Sequence, residues 1–441
     1  MKPERAQPTP ASAADFAAAP DIWALPGFRP FMISMVAVTL ANQLQGTVVA
    51  YQIYELTRDP LSLGAVGLAE ALPFVSLALL GGHVADMRDR RRIALVVLIV
   101  MLGMSLALLA FTLERGALGA VRHKFAIYGV IVVLGVCRSF LQPARAALNA
   151  ELLPPSLYAK AVSLRTSLFQ LGMVSGPAGG GILYAAVGPA GAYLCSGLLL
   201  ICAWLCMFRI PRVRMTKAVQ VSEPPGSAAA PGSARALAHS IGQGFKFLSS
   251  DRLLLSALLL DMFGVLFGGA TALLPVYANE ILAVGSRGFG ILRAAPAVGA
   301  LAASLLLASR PPLRRAGSTL LLATSAFGLT MIGFGVSKSF PLSIALLGAS
   351  GAFDTVSVVV RGTLLQTRVP GRLLGRVASI NQIFIGSSNE IGAFESGVAA
   401  RLLGVIPSVV FGGCMTLLVT GLTALRSPEL RRLRRLDQVS D

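Results

Sequence analysis

The chain has 441 residues, of which 55% are hydrophobic and only 13% charged, with 46 glycines and a mean hydropathy of +0.73. Soluble domains carry about a quarter charged residues, so this composition excludes water-soluble, fibrous, disordered and disulfide-framework classes and points to lipid as the main solvent. The formal net charge of +18, from 38 Lys and Arg against 20 Asp and Glu, would suit nucleic-acid binding only on the basic face of a soluble domain.

Residues 1–30 are rich in Ala and Pro, with Lys2, Arg5, Asp15 and Asp21 interspersed, and lack the apolar core of a signal peptide. They read as a disordered cytosolic tail. A bilayer core about 30 Å thick takes roughly 20 helical residues. Six apolar runs of that order follow, from Phe31 to Ile53, Leu61 to Gly82, Ile93 to Phe111, Phe125 to Leu141, Ala161 to Ala186 and Ala190 to Phe208, forming a first bundle over 31–208. Residues 209–252 form a cytosolic linker whose segment EPPGSAAAPGS, Glu223 to Ser233, cannot build a core. Within it, Gly242 to Phe247 suggests a short amphipathic helix on the membrane surface. Six further runs, from Leu253 to Tyr277, Phe289 to Ala308, Ser318 to Val336, Pro341 to Val360, Val377 to Leu402 and Ser408 to Leu425, form a second bundle over 253–425, before a basic cytosolic tail, 426–441.

If the N-terminus is cytosolic, the connections on the cytosolic side carry Arg88, Arg90 to Arg92, Arg212, Arg214, Lys217, Arg310, Arg314, Arg315, Arg368, Arg372 and Arg376; the opposite connections are poorer in basic residues. That asymmetry is the positive-inside pattern and predicts both termini in the cytosol. The +18 thereby becomes a topology signal, and no nucleic-acid partner is expected. Cys137, Cys195, Cys202, Cys206 and Cys414 all lie in apolar stretches without metal-like spacing, and the histidines, His83, His123 and His239, are far apart. No nucleophile, base or metal constellation marks an enzyme, and no cofactor is implied.

The two bundles repeat one another. Adding 216 carries Gly135 to Gly351, Arg145 to Arg361, Leu148 to Leu364, Pro154 to Pro370, Gly176 to Gly392 and Gly181 to Gly397; adding 223 carries Gly67, Glu70 and Pro73 to Gly290, Arg293 and Pro296. Duplicated six-span halves are a common transporter plan, with the substrate site between them.

After the second span the chain reads GGHVADMRDRRRIA, Gly81 to Ala94. Gly82, Asp86, Arg90 and Arg91 resemble the signature loop between helices two and three of the major facilitator superfamily, where the acid caps a neighbouring helix or pairs with an Arg and so holds a gate. Met87 and Asp89 depart from the general pattern, although the DRRR form resembles the drug and siderophore exporter branch. The fifth span contains GMVSGPAGGG; Gly172, Gly176, Pro177, Gly180 and Gly181 are similar to the antiporter motif of exporter members, with small residues for close helix contact and a proline that removes one backbone hydrogen bond. Leu134 and Arg138 resemble the intramembrane Arg motif, with Gln142 at a usual glycine, and Arg361 to Val377, RGTLLQTRVPGRLLGRV, resembles the enterobactin-exporter branch.

The resemblance implies an all-α membrane protein of twelve transmembrane helices in two pseudo-symmetric six-helix bundles. It further implies a proton-coupled antiporter of the bacterial inner membrane that exports a small organic molecule, siderophore or drug-like, as a monomer among lipids with the proton gradient as energy source. Uptake or lipid translocation by the same fold, and a non-transporting membrane enzyme or receptor, are the competing readings.

Ionisable residues inside spans are costly and call for partners or a wet cavity. Those here are Glu70, Arg138, Asp261, Arg293, Asp354, Arg361, Glu390 and Glu395. The repeat makes Glu70 the mate of Arg293 and Arg138 the mate of Asp354, each with opposite sign. Because helices one, four, seven and ten line the central cavity in the superfamily, Arg138 is expected to approach Asp354 across it. Proton coupling is placed on Asp354 and Arg138, then on Asp261, with Glu70 and Arg293 as further candidates. Glu390 and Glu395 are about 140° apart on a helix and cannot both face one cavity. Arg361 either attracts an anionic substrate or pairs with lipid phosphate. Asn42, Gln43 and Gln45 are either interhelical glue or substrate hydrogen-bonders.

Overall fold

The computed structural model describes residues 22–114, 120–153, 157–211, 234–309 and 315–433, without the side chains of 24, 79, 86, 120–122, 150, 158–160, 234–241, 371, 372 and 379. Of the tails expected at 1–30 and 426–441 and the linker expected at 209–252, residues 1–21, 434–441 and 212–233 lie outside the described residues. Ile22–Ala24 forms a 3-10 turn, Phe28 already begins the first spanning helix and Pro428–Arg432 is a short helix, and among the described residues there is no strand.

The first spanning helix, α1, runs Phe28–Thr57, leaving the left-handed Gly27 and ending on the left-handed Arg58. Asp59 accepts from the Leu61 amide and Pro60 occupies the first turn of α2, Pro60–Met87, so cap and proline reset the chain within three residues. Asp89 accepts from the amides of Arg91 and Arg92 to start α3, Arg90–Leu113, and α4 follows as Ala120–Leu152. Tyr158–Phe208 hydrogen-bonds as one helix of 51 residues, about 77 Å at 1.5 Å per residue and too long for one crossing. It breaks at Gly188 (φ 70°, ψ −179°), a conformation open to glycine, followed by Pro189, and thus crosses twice, as α5 (158–187) and α6 (189–208).

A surface helix, Ala234–Ser250, is longer than the stretch expected at Gly242 to Phe247, and packs Leu248 into the core of the second bundle. Asp251 then caps α7, Arg252–Phe267, by accepting from the Leu254 amide. Beyond Gly268 the seventh span continues irregularly, as a 3-10 turn Ala270–Leu273 and a π turn Tyr277–Ile281. The remaining spans are α8, Gly285–Ala308; α9, Ala316–Val336; α10, Phe340–Arg368; α11, Gly371–Leu403; and α12, Val405–Arg426. Among the described residues ten helices are long and apolar enough to cross a membrane, one of them twice; α11, interrupted by Asn381, Gln382, Asn389, Glu390 and Glu395, completes the twelve.

In the first bundle α1 packs on α5 and α6, α2 on α4, and α3 on α4 and α6; in the second, α7 packs on α11 and α12, α8 on α10, and α9 on α10 and α12. The bundles meet where α2 packs on α11 and α5 on α8. The duplication is visible in these contacts. Gly135 abuts Glu70 and Pro73, and its mate Gly351 abuts Pro296, the mate of Pro73. Gly181 abuts Ser286 and Gly290 across the interface, and its mate Gly397 abuts Pro60 and Gly64.

Even-numbered crossings place both ends of the helical body on one face, here the terminal face. On that half each bundle has its own apolar core, around Met32, Leu98 and Met207 in one and Leu254, Leu320 and Leu364 in the other. On the opposite half one core spans both bundles, joining Tyr51, Tyr54 and Tyr193 to Leu273, Tyr277 and Phe289. The two bodies are therefore sealed at the opposite face and separate towards the terminal face.

Candidate functional site

The α10 stripe Asp354, Ser357 and Arg361, spaced i, i+3 and i+7, faces α7. There Asp261 Oδ2 lies 2.5 Å from Arg361 Nη1, with side-chain exposures of 7% and 5%. Arg361 Nε also donates to Ser357 Oγ at 3.3 Å. Asp354 acts electrostatically on both Asp261 and Arg361. Arg361 thus pairs with Asp261, while the second acid, Asp354, lines with Asp261, Thr324, Phe353 and Ser357 among others a cavity of about 10 Å³, room for about one water.

This arrangement revises three expectations. Asp354 faces Asp261 and Arg361 within its own bundle, and is not the partner of Arg138. Arg361 is buried in an ion pair and unavailable to lipid phosphate, because α10 extends unbroken to Arg368, past the end expected at Val360. Asp261, without a basic neighbour in sequence, obtains one from another helix.

Arg138 instead pairs with Glu70 at 2.8 Å, with exposures of 43% and 33%, and its guanidinium sits 5.2 Å from the Phe74 ring centroid. The cause is local: with no side chain, Gly135 lets α2 approach α4 at Glu70 and Pro73, which sets the acid beside the base one turn on. Across the interface Arg293 Nη1 donates to the Gly46 carbonyl of α1 at 3.2 Å and lies over Phe289. Glu390 of α11 is coupled electrostatically to Glu70, Arg138 and Arg293. Two acids and two bases from α2, α4, α8 and α11 therefore meet where the bundles meet. Glu395 lies away from this group and bonds its neighbour Ser396.

The three amides of α1 separate by role. Gln45 is buried and accepts from Ser196 Oγ of α6 at 3.0 Å, so it is interhelical glue. Gln43 packs its stem on Gly176. Asn42 is exposed, one turn before Gly46, on the side of α1 that Arg293 reaches. The glycines of the fifth span do what small residues allow: Gly172 meets Thr39, Gly176 meets Gln43, Gly180 meets Leu44 and Thr47, and Gly181 meets α8, while Pro177 presents its carbonyl to Gly290. Along the loop after α2, Arg90 pairs with Glu151 and donates to the Ala85 carbonyl at 3.3 Å, and Arg91 donates to the carbonyls of Met207 and Phe208. These arginines tie the terminal ends of α2, α3, α4 and α6 together. Gly82 has open space around it, and the Asp86 side chain lies outside the described set.

Sequence reasoning missed the seal at the opposite face. Tyr51 donates to Asn279 Oδ1 at 2.7 Å and stacks on Phe289, Tyr54 donates to Glu280, and Tyr184 donates to Glu55. Arg401 and Asp59 add an ion pair at 3.9 Å between the bundles. The available signal was the tyrosines and acids at the ends of spans one and seven, Tyr51, Tyr54, Glu55, Tyr277 and Glu280.

The sequence model described as the Major Facilitator Superfamily matches residues 31–432. The chain is 26% identical over 416 residues to a protein named Enterobactin exporter EntS from Shigella flexneri, covering 93% of each, and 26% identical over 414 residues to that of Escherichia coli O1:K1 / APEC, covering 93% and 94%. Among solved structures it resembles a bacterial homolog of human lysosomal transporter Spinster, inward-facing and unoccupied (TM-score 0.67, 14% identity, 92% of this chain and 98% of that one). It also resembles a POT family transporter in complex with 5-aminolevulinic acid (TM-score 0.68, 12% identity, 92% and 97%).

Proposed function

This chain belongs to the Major Facilitator Superfamily, and on that basis we propose that it is a proton-coupled antiporter that exports a small organic molecule, siderophore or drug-like, from the cytosol across the bacterial inner membrane. The chain is a multi-pass membrane protein of a transporter family; export, the proton and the substrate are our reading. The observation that carries it is the buried pair of Asp261 and Arg361 beside a water-sized cavity that a second acid, Asp354, also lines. Protonating one acid leaves a single neutralised pair, whereas two ionised acids leave a net negative charge in a low-dielectric site. The group therefore has two charge states that α7 and α10 must accommodate differently, which is what coupling of proton entry to rearrangement requires.

The basic loops favour a cytosolic terminal face. With the opposite side sealed by one shared core, this is the state that would load an exporter's cargo from the cytosol. The quartet Glu70, Arg138, Arg293 and Glu390 lies where α2 slides on α11 and α5 on α8, so its ion pairs would be remade as the bundles rock. Of the antiporter-like residues, Gly181 and Pro177 lie on that sliding surface, where Gly290 of α8 meets them closely, while Gly172, Gly176 and Gly180 pack α5 on α1. The relatives named as enterobactin exporters favour a siderophore-like cargo.

The test uses purified protein in proteoliposomes with an imposed pH gradient and a panel of siderophores and drugs. A gradient acid inside the vesicle should drive accumulation of at least one compound through protein inserted with its terminal face outward. Asp354→Asn and Asp261→Asn should each uncouple accumulation from the gradient while leaving exchange without a gradient. Gradient-driven transport unchanged in both variants refutes the proposed coupling site; accumulation only with the opposite gradient refutes antiport.

A further inference from the structure

The two halves differ at one crossing that the duplication otherwise repeats. Gly176 abuts the Leu40 carbonyl of α1, and its mate Gly392 abuts the Leu266 carbonyl of α7, so adding 226 carries α1 onto α7. By the same addition Met35 is the mate of Asp261, while Arg145 is the mate of Arg361. In the second bundle Arg361 is neutralised by Asp261. In the first, Arg145 Nη2 donates to the Met35 backbone carbonyl, at 3.4 Å, and has no acid partner among the described side chains.

Arg145 also has a like-charged neighbour. Helix α5 runs parallel to α1 with Gly172 on Thr39, Gly176 on Gln43 and Gly180 on Thr47, a constant register that puts Arg165, two turns before Gly172 on the same face, level with Met32 and one turn from Met35. There its charge acts on Arg145. No ion pair to either arginine exists among the described side chains. On α4, Arg145 follows the exposed Arg138 and Gln142 along one face, the wall of the gap open to the terminal face. Two half-buried guanidiniums that repel each other and have no carboxylate partner among the described side chains are a site prepared for an oxyanion.

We propose that Arg145 and Arg165 bind an oxyanion, a carboxylate, catecholate or phosphate, at the position that Asp261 fills internally in the other bundle. Resting on the export reading, this assigns an anionic group to the cargo and makes the first bundle its docking half, the second being self-neutralised. A lipid headgroup phosphate offers the same chemistry and is separated by the test.

Full-length protein in phosphatidylcholine nanodiscs is titrated with a fluorescent aromatic carboxylate and with its methyl ester, read by anisotropy. Arg145→Gln and Arg165→Gln should each weaken the carboxylate by about tenfold or more, as expected for loss of a charge-assisted contact, and leave the ester unchanged. Met35→Asp, which rebuilds the Asp261 arrangement, should abolish the carboxylate's advantage, and Met35→Asn should not. If phosphatidylglycerol nanodiscs displace the carboxylate from wild type, and Arg145→Gln and Arg165→Gln each remove that lipid's binding, the site stands with lipid phosphate as occupant. Unchanged carboxylate affinity in both arginine variants, equal loss of carboxylate and ester, or no binding of either anion to wild type would overturn the proposal. Arg165 is half-exposed, so its variant remains informative if a substitution at Met35 fails to fold. Charge-dependent binding without gradient-driven transport would refute the export reading and leave this site standing.

Discussion

Replacing Asp261 and Asp354 together should expose how one buried guanidinium is neutralised. Arg361 is 5% exposed and cannot lose its proton, so its charge needs an acid nearby. Removing the partner of a buried charge costs about 3–5 kcal/mol. A Coulomb estimate of ~4 kcal/mol at ~4 Å and an effective dielectric of ~20 has the same size. Because Asp354 also acts on Arg361, it can take over when Asp261 is lost. Asp261→Asn and Asp354→Asn should therefore each destabilise by less than about 2 kcal/mol, while the double variant should cost about 3–5 kcal/mol, exceeding the sum by about 1 kcal/mol or more. Adding Arg361→Gln to the double variant should recover most of the loss, since no unpaired charge remains. Equilibrium unfolding in mixed micelles, followed through the two tryptophans, Trp23 and Trp204, measures each difference. Additivity within about 0.5 kcal/mol, or a triple variant no better than the double, would refute the shared-guanidinium argument.

Gly181→Ala places a Cβ against the Ser286 carbonyl and Gly290, which are backbone and cannot turn aside, whereas Gly179→Ala enters open space. The first should lose transport and about 1–3 kcal/mol of stability, and the second neither, as read by vesicle flux and micelle unfolding. Tyr54→Phe and Glu280→Ala each remove the same bond of the seal. With about 1.5–3 kcal/mol for a hydrogen bond to a charged group, the open-outward population should rise by roughly 10- to 100-fold. Faster labelling of Ser286→Cys by an impermeant maleimide, in a cysteine-free background, reports it, and an unchanged rate counts against the seal. Glu70→Gln should cost less than about 1 kcal/mol, because Arg138 is 43% exposed, yet lower transport by more than tenfold. A variant with full transport would remove the quartet from the mechanism.

Much of the fold was legible because its signals are backbone signals. Asp59 with Pro60, Asp89 and Asp251 start helices at the expected places, and Gly188 with Pro189 divides one long apolar run into two crossings. The repeated contacts Gly135 on Pro73 and Gly351 on Pro296 were implicit in the two offsets, since glycine spacing records how closely helices pass. The charge partners were not legible to the same degree. Sequence spacing gives the face of a helix but not which neighbour occupies it, so Arg138 was matched to its mate Asp354 when a glycine-enabled contact had already brought Glu70 to it.

Opposite-signed mates are better understood as records of divergence than as contacts. A pseudo-twofold axis makes equivalent positions face each other only if they lie near the axis, and neither Arg138 nor Asp354 has the other as its partner. What the duplication preserves is the packing frame; within it each half has settled its own charges. The second bundle holds an Asp–Arg pair inside itself, and the first has the arginine without the acid, Met35 standing where the other half has Asp261. A transporter built from two copies of one unit must become chemically asymmetric if one half is to hold the proton and the other the cargo. The crossing of α4 with α1, and its repeat in α10 with α7, is where that asymmetry is written in single residues.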